Sequence, residues 1–116
     1  MMPIVYESGP ISGSTATAIA EHIHAFAFME NWLLREGYAA INPANDFEAA
    51  GLGGLEYEMY MQKDKAFVSV SAAILMLPGW RESRGARREL RWARQYGLIV
   101  AYSMEQLKKL LPVDHE

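Results

Sequence analysis

Short apolar runs alternate with longer amphipathic stretches along this chain, and the alternation predicts strands separated by helices. Ile4-Val5-Tyr6-Glu7 is β-branched and aromatic and ends at a Ser-Gly-Pro turn, which reads as a first strand. Residues 17–36 carry Ile19, Ile23, Phe26, Ala27, Trp32, Leu33 and Leu34 at mixed three- and four-residue spacing, so they read as a helix closed by Gly37. Residues 38–42 form a short second strand stopped by Pro43. Residues 45–55 hold Asn45-Asp46 and Gly51-Leu52-Gly53-Gly54 and read as a mobile surface loop. Residues 56–69 read as a helix with Tyr57, Tyr60, Met61, Ala66 and Phe67 as its buried or interfacial positions. Residues 73–77 are a third strand, residues 85–96 a third helix ended by Gly97, and residues 98–101 a fourth strand. Ser103, with Gln106 three residues on, caps a last helix over 104–111; Pro112 stops it and 113–116 is a polar tail.

The order βαβαβαβα favours a parallel sheet covered by helices on both faces, a three-layer α/β fold. Right-handed crossovers restrict the topology, and the natural strand order is 2-1-3-4, as in flavodoxin- or Rossmann-like sheets. In that order the first and third strands are neighbours. Their C-terminal loops, residues 8–14 and 79–85, then flank the topological switch point, where open α/β sheets bind ligands.

The chain of 116 residues is long enough for one domain, 1–116, and too short for two ordinary ones. A net charge of −3 argues against a nucleic-acid polymer as partner, although a small phosphate ligand needs only local donors. With no cysteine there is no disulfide or thiolate metal site, which suits a cytoplasmic location. No apolar run approaches the roughly 18 residues of a membrane span, and the first residues lack signal-peptide features. His22 and His24 lie two apart on a helix and His115 is in the tail, so no metal and no cofactor is expected.

The candidate chemistry gathers at the two loops. Glu89 lies about one turn into the third helix, whose start carries Ser83 and Gly85. A helix N-terminus stabilises a carboxylate by about 0.3–1 kcal/mol, which would keep Glu89 ionised as a nucleophile or a stabiliser of positive charge. An acid placed there for helix stability alone is the plain alternative. Ser83 and Gly85 can offer a hydroxyl and N–H groups to a phosphate, as can Ser8, Gly9, Ser12 and Gly13 from the other side. Ordinary turn chemistry explains both loops equally well. Trp80 could stack on a base or sugar, or simply cover the sheet edge. Asp64, between Lys63 and Lys65, reads as a solvated helix charge or as an acid near a ligand base. Tyr6 could orient Glu89 through its hydroxyl, or be a half-buried strand tyrosine.

Three stretches resemble a known group. Tyr6-Glu7-Ser8-Gly9-Pro10-Ile11-Ser12-Gly13 is similar to Tyr-x-(Ala/Ser)-Gly-Pro-Met-(Ser/Thr)-Gly, which opens small phage and bacterial proteins of the nucleoside 2-deoxyribosyltransferase-like superfamily. Tyr60-Met61-Gln62-Lys63-Asp64 resembles that group's Tyr-Met-Arg-x-Asp, and Asn42-Pro43 also fits. Leu77-Pro78-Gly79-Trp80 with Ser83-Arg84-Gly85-Ala86-Arg87-Arg88-Glu89 resembles its Leu-Pro-Gly-Trp-x-x-Ser-x-Gly-Ala-x-x-Glu signature. The resemblance implies cleavage of the N-glycosidic bond of a (deoxy)nucleoside or nucleoside 5′-monophosphate, by hydrolysis or base transfer. It makes Glu89 the nucleophile, Tyr6 its orienter and Asp64 the acid or a group that contacts the base. Gly9, Pro10, Ile11, Gly79 and Trp80 join the serines and glycines above as substrate-binding positions. It further implies a homodimer or larger assembly. The chain departs from the pattern at Ala72, where relatives carry an Asp before the third strand. Asp46 or Glu48 in the 45–55 segment are candidate replacements, unless that segment is a lid. A non-catalytic nucleotide-binding module on the same fold is the competing expectation.

Overall fold

The structure, a computed structural model, describes residues 1–46 and 56–114. Most of the expected 45–55 loop, with Glu48, therefore lies outside the described residues, as does His115. The elements run β1 (Ile4–Ser8), α1 (Ala16–Arg35), β2 (Ala39–Ile41), a 3-10 turn (Pro43–Asn45), α2 (Tyr57–Ser69), β3 (Ala73–Met76), a second 3-10 turn (Trp80–Glu82), α3 (Arg84–Gln95), β4 (Ile99–Ala101) and α4 (Met104–Leu110). The four strands are parallel throughout, in the order β2-β1-β3-β4 that the pattern predicts. No helix among the described residues is long and apolar enough to cross a membrane.

Local chemistry sets the boundaries. Thr15 caps α1, its hydroxyl oxygen accepting from the Ala18 N–H at 3.0 Å. Gly37 (φ 94°) and Gly97 (φ 74°) end α1 and α3 in the left-handed conformation that a side chain would strain. Ser103 caps α4 through the Gln106 N–H, while the Gln106 side chain accepts from the Tyr102 N–H at 2.7 Å. The two 3-10 turns are not visible in hydrophobic periodicity. The first depends on Asn42, whose side-chain oxygen accepts from the Ala44 N–H just ahead of Pro43.

Side chains of the central strands alternate between two cores. Val5, Ala73, Leu75 and Leu77 pack with Phe26 and Leu33 of α1 and Leu107 of α4. Tyr6, Ile74 and Met76 pack on the other face with Met61 and Val68 of α2 and with Ala86, Leu90 and Ala93 of α3. The register pairs Tyr6 with Ile74 and Ser8 with Met76. One expectation is corrected here. The buried stripe of α2 is Met61, Asp64 and Val68, and Ala66 and Phe67 face outward. A spacing of three and four residues from Met61 runs through Asp64, so treating Asp64 as polar shifts the stripe by most of a turn.

Glu7 shares the α1 side of β1 and is fully buried. Neither carboxylate oxygen has a hydrogen-bond partner among the described residues. Burial pushes its carboxyl up to about 9, and the nearby Glu30, itself held by the Asn42 side chain at 3.0 Å, adds to the rise. The folded state therefore retains a proton that the unfolded chain releases near pH 4.5. Glu7 contributes its full stabilisation below that pH, and the contribution declines as pH rises towards 9, by about 1 kcal/mol per pH unit. Glu7→Gln is expected to melt with the wild type near pH 5 and about 5 °C or more above it at pH 9. Thermal unfolding across this range is the measurement, and parallel pH profiles for the two proteins would contradict the assignment.

Candidate functional site

The strand alternation that buries Val5 and Glu7 under α1 turns Tyr6 and Ser8 towards α3. There they meet Glu89. The Tyr6 hydroxyl donates to Oε2 of Glu89 at 2.6 Å, and the Ser8 hydroxyl donates to Oε1 at 2.7 Å. Tyr6 and Ser8 are fully buried and Glu89 is 5% exposed. Each carboxylate oxygen thus has its own donor, an arrangement that stabilises the anion.

Glu89 is the sixth residue of α3. It lies beyond the first turn, where the helix N-terminus exerts most of its field, so the expected N-terminal stabilisation is not its main influence. Burial raises its carboxyl to about 8, and Asp64 adds to the rise through its charge and a hydrogen bond. The Tyr6 and Ser8 hydroxyls oppose it. Asp64 reaches the same place from α2 and is 8% exposed, which removes the solvated-charge reading. Its carboxyl rises to about 6, chiefly by burial, against hydrogen bonds to Glu89 and Tyr6 that hold it down. Asp46 pushes it further up and Lys63 pulls it down. Tyr6 itself is held well above the usual phenol range, by burial and then by the charges of Glu89 and Asp64, and so remains a donor. Between about pH 6 and about 8 the two acids together hold one proton and one negative charge.

A cavity of about 550 Å³ opens over this pair. Gly9, Pro10, Ile11 and Ser12 form one wall, and Glu82, Ser83, Arg84, Gly85 and Ala86 form the opposite one with Glu89. Tyr57, Tyr60, Met61 and Asp64 of α2 line a third side, and Pro43 and Asp46 complete it. The loops after β1 and β3 therefore do meet at one cleft. Gly9 permits the meeting, because a Cβ there would stand 2.9 Å from the Leu77 Cβ. Ser83 caps α3 by accepting from the Ala86 N–H at 3.1 Å, which leaves its O–H free to donate into the cavity. The first N–H groups of α3, that of Gly85 among them, have no intrahelical partner.

The other sequence candidates sit elsewhere. Ser8 belongs to the floor beneath Glu89, and its hydroxyl is committed to that carboxylate rather than to an anion. Gly13 packs near Ala18 at the start of α1, outside the cavity wall. Gly79, at φ 87°, turns the chain beside Pro10 and shapes the loop from behind. Trp80 points away: it lies against Tyr102 at 5.8 Å, beneath Arg81 at 4.9 Å, and lines a separate depression with Arg87, Leu90, Arg91 and Arg94. Conversely, Tyr57, Met61 and Arg84 line the cavity without having been singled out as binding positions. The signal for the first two was the helical spacing 57, 61, 64, which places them on one face with Asp64.

The two interactions predict opposite shifts. Asp64→Asn removes a charge that disfavours the Glu89 anion, so the Glu89 carboxyl is expected to fall towards its ordinary range. Tyr6→Phe removes a donor to that anion, and the carboxyl is expected to rise. Carbon-detected NMR titration of the labelled Glu89 carboxyl reads both; movement in one common direction would refute the coupling.

Comparison with known proteins adds a family and no activity. A search of the curated proteins finds no match. Residues 3–102 match the family model described as Domain of unknown function (DUF4406), a span that holds both loops and the Tyr6–Ser8–Glu89 group, and the chain belongs to that family.

Proposed function

We propose that the protein cleaves the N-glycosidic bond of a (deoxy)nucleoside or nucleoside 5′-monophosphate, by hydrolysis or by transfer of the sugar to another base. The observation that carries this reading is the buried Glu89–Asp64 pair at the base of the cavity, with Glu89 held by two hydroxyl donors. Displacing a base from a sugar carbon needs one carboxylate and one acid together. A carboxylate oxygen of Glu89 attacks the anomeric carbon as the carbon–nitrogen bond breaks. The bond's electron pair leaves with the base, and the base nitrogen takes a proton from Asp64. Positive charge developing at the sugar carbon favours the Glu89 anion, so the pair's one proton stands on Asp64 before it passes to the base, and Asp64 is left ionised. Water or a second base, deprotonated by Asp64, then displaces Glu89 from the sugar with return of the starting configuration.

The rest of the cavity fits the remainder of such a substrate. Ser12, Ser83, the Gly85 N–H and the Arg84 guanidinium can hold a 5′-phosphate. The departure at Ala72 does not bear on this chemistry. Its N–H donates to the Ile4 carbonyl at 2.8 Å, at the N-terminal edge of the sheet, opposite the cavity. The same reading expects a cytoplasmic protein that forms a homodimer or larger assembly. Light scattering tests the assembly, and a monomer at all concentrations would remove it.

Assay of free base from a panel of deoxynucleosides and their monophosphates tests the reaction, and an added second base separates transfer from hydrolysis. Glu89→Ala is expected to lower base release by about 10³-fold or more, and Asp64→Asn by about 10²-fold or more. kcat/KM is expected to peak between pH 6 and 8. Below that window both acids are protonated and no nucleophile remains; above it both are ionised and no acid remains. Base release that survives Glu89→Ala unchanged would end the mechanism. Thermal stabilisation by nucleotides without base release would leave a binding module instead.

A further inference from the structure

Among the described residues, the buried side-chain polar atoms without a hydrogen-bond partner are the two oxygens of Glu7 and the hydroxyl of Tyr60. Glu7 lies beneath the sheet, away from the cavity. Tyr60 is in the cavity wall. A buried hydroxyl with no partner is a standing penalty for the folded protein, and near a ligand site it is relieved when the ligand supplies the missing partner.

The place of Tyr60 on its helix says which part of the ligand that is. Tyr60 stands four residues before Asp64 on α2, so the two side chains lie on one face, one turn apart. On the proposed reaction Asp64 gives its proton to the departing base, which puts the base against α2. The sugar carbon lies across the cavity at Glu89 of α3, and the phosphate donors Ser83 and Gly85 belong to the start of that helix. We infer that the Tyr60 hydroxyl hydrogen-bonds a polar edge atom of the nucleobase and is a specificity-determining residue of this site. The inference rests on the proposed function. A phenol can donate or accept, so it favours bases with a heteroatom or exocyclic group at that edge and disfavours analogues lacking one.

Tyr60→Phe removes only the hydroxyl and so separates this role from a packing role. The variant is expected to keep or slightly raise its melting temperature, because it discards an unsatisfied buried group. Calorimetric binding is measured in the Glu89→Gln background, where turnover is suppressed. The probes are the four common deoxynucleoside 5′-monophosphates, together with ribo and 2′,3′-dideoxy forms of the tightest-binding one. Tyr60→Phe is expected to weaken the preferred base about 5- to 10-fold, to narrow the spread among bases, and to leave the ranking of sugars unchanged. Equal affinities with and without the hydroxyl, or a loss that follows the sugar, would overturn the assignment while leaving the proposed reaction standing. Failure of every probe to bind either protein would remove the nucleotide reading and the Tyr60 assignment with it.

Discussion

A carboxylate taken out of water is tolerated only where other groups replace the water. At Glu89 the replacement is a pair of hydroxyls, Tyr6 and Ser8, one on each oxygen. Both come from β1, more than 80 residues away in sequence. This contact joins the first strand to the third helix across the face of the sheet and fixes where the acid stands. Glu89 otherwise continues the apolar stripe of Ala86, Leu90 and Ala93 that packs α3 down, so the same helix face serves the core and the site.

The second acid arrives by a similar route. Asp64 interrupts the stripe between Met61 and Val68 and is carried inward by the packing of α2 against α3. Two helices seated on one face of a parallel sheet thus each bury one carboxyl, and the two acids come to share protons. The open volume lies beyond the C-terminal ends of β1 and β3, where their loops separate, so the fold provides the cleft and the helix faces provide its charge.

Much of this was legible in the sequence. Strand and helix order followed from periodicity, and the strand order followed from handedness. The meeting of residues 9–12 with residues 82–86 followed from the strand order, and the Tyr6–Glu89 contact was one of two readings of a strand tyrosine. What was not legible depended on burial. Asp64 between two lysines looks solvated until its spacing from Met61 and Val68 is given priority over its charge. Ser8 reads as one of the loop serines, yet strand pleating puts it on the inner face beside Tyr6, committed to Glu89. Trp80 sits within the Leu77-Pro78-Gly79-Trp80 motif, but the 3-10 turn over Trp80–Glu82 swings its ring away from the cavity to Tyr102. The rise of the Glu89 carboxyl could not be read from its helix position, because desolvation outweighs an N-terminal field one turn removed.

The two-residue period of β1 has a consequence for how faithfully the chain must fold. Odd positions of the strand supply Val5 and Glu7 to one core, and even positions supply Tyr6 and Ser8 to the other. A slip of one residue against β3 would exchange the two sets. Glu89 would then face Glu7, an acid in place of a donor, and two hydroxyls would be stranded among the apolar side chains of α1. Misthreaded chains are thereby penalised on both sides of the sheet at once, and the pairing that makes the protein chemically competent is also the one that its interior can accept.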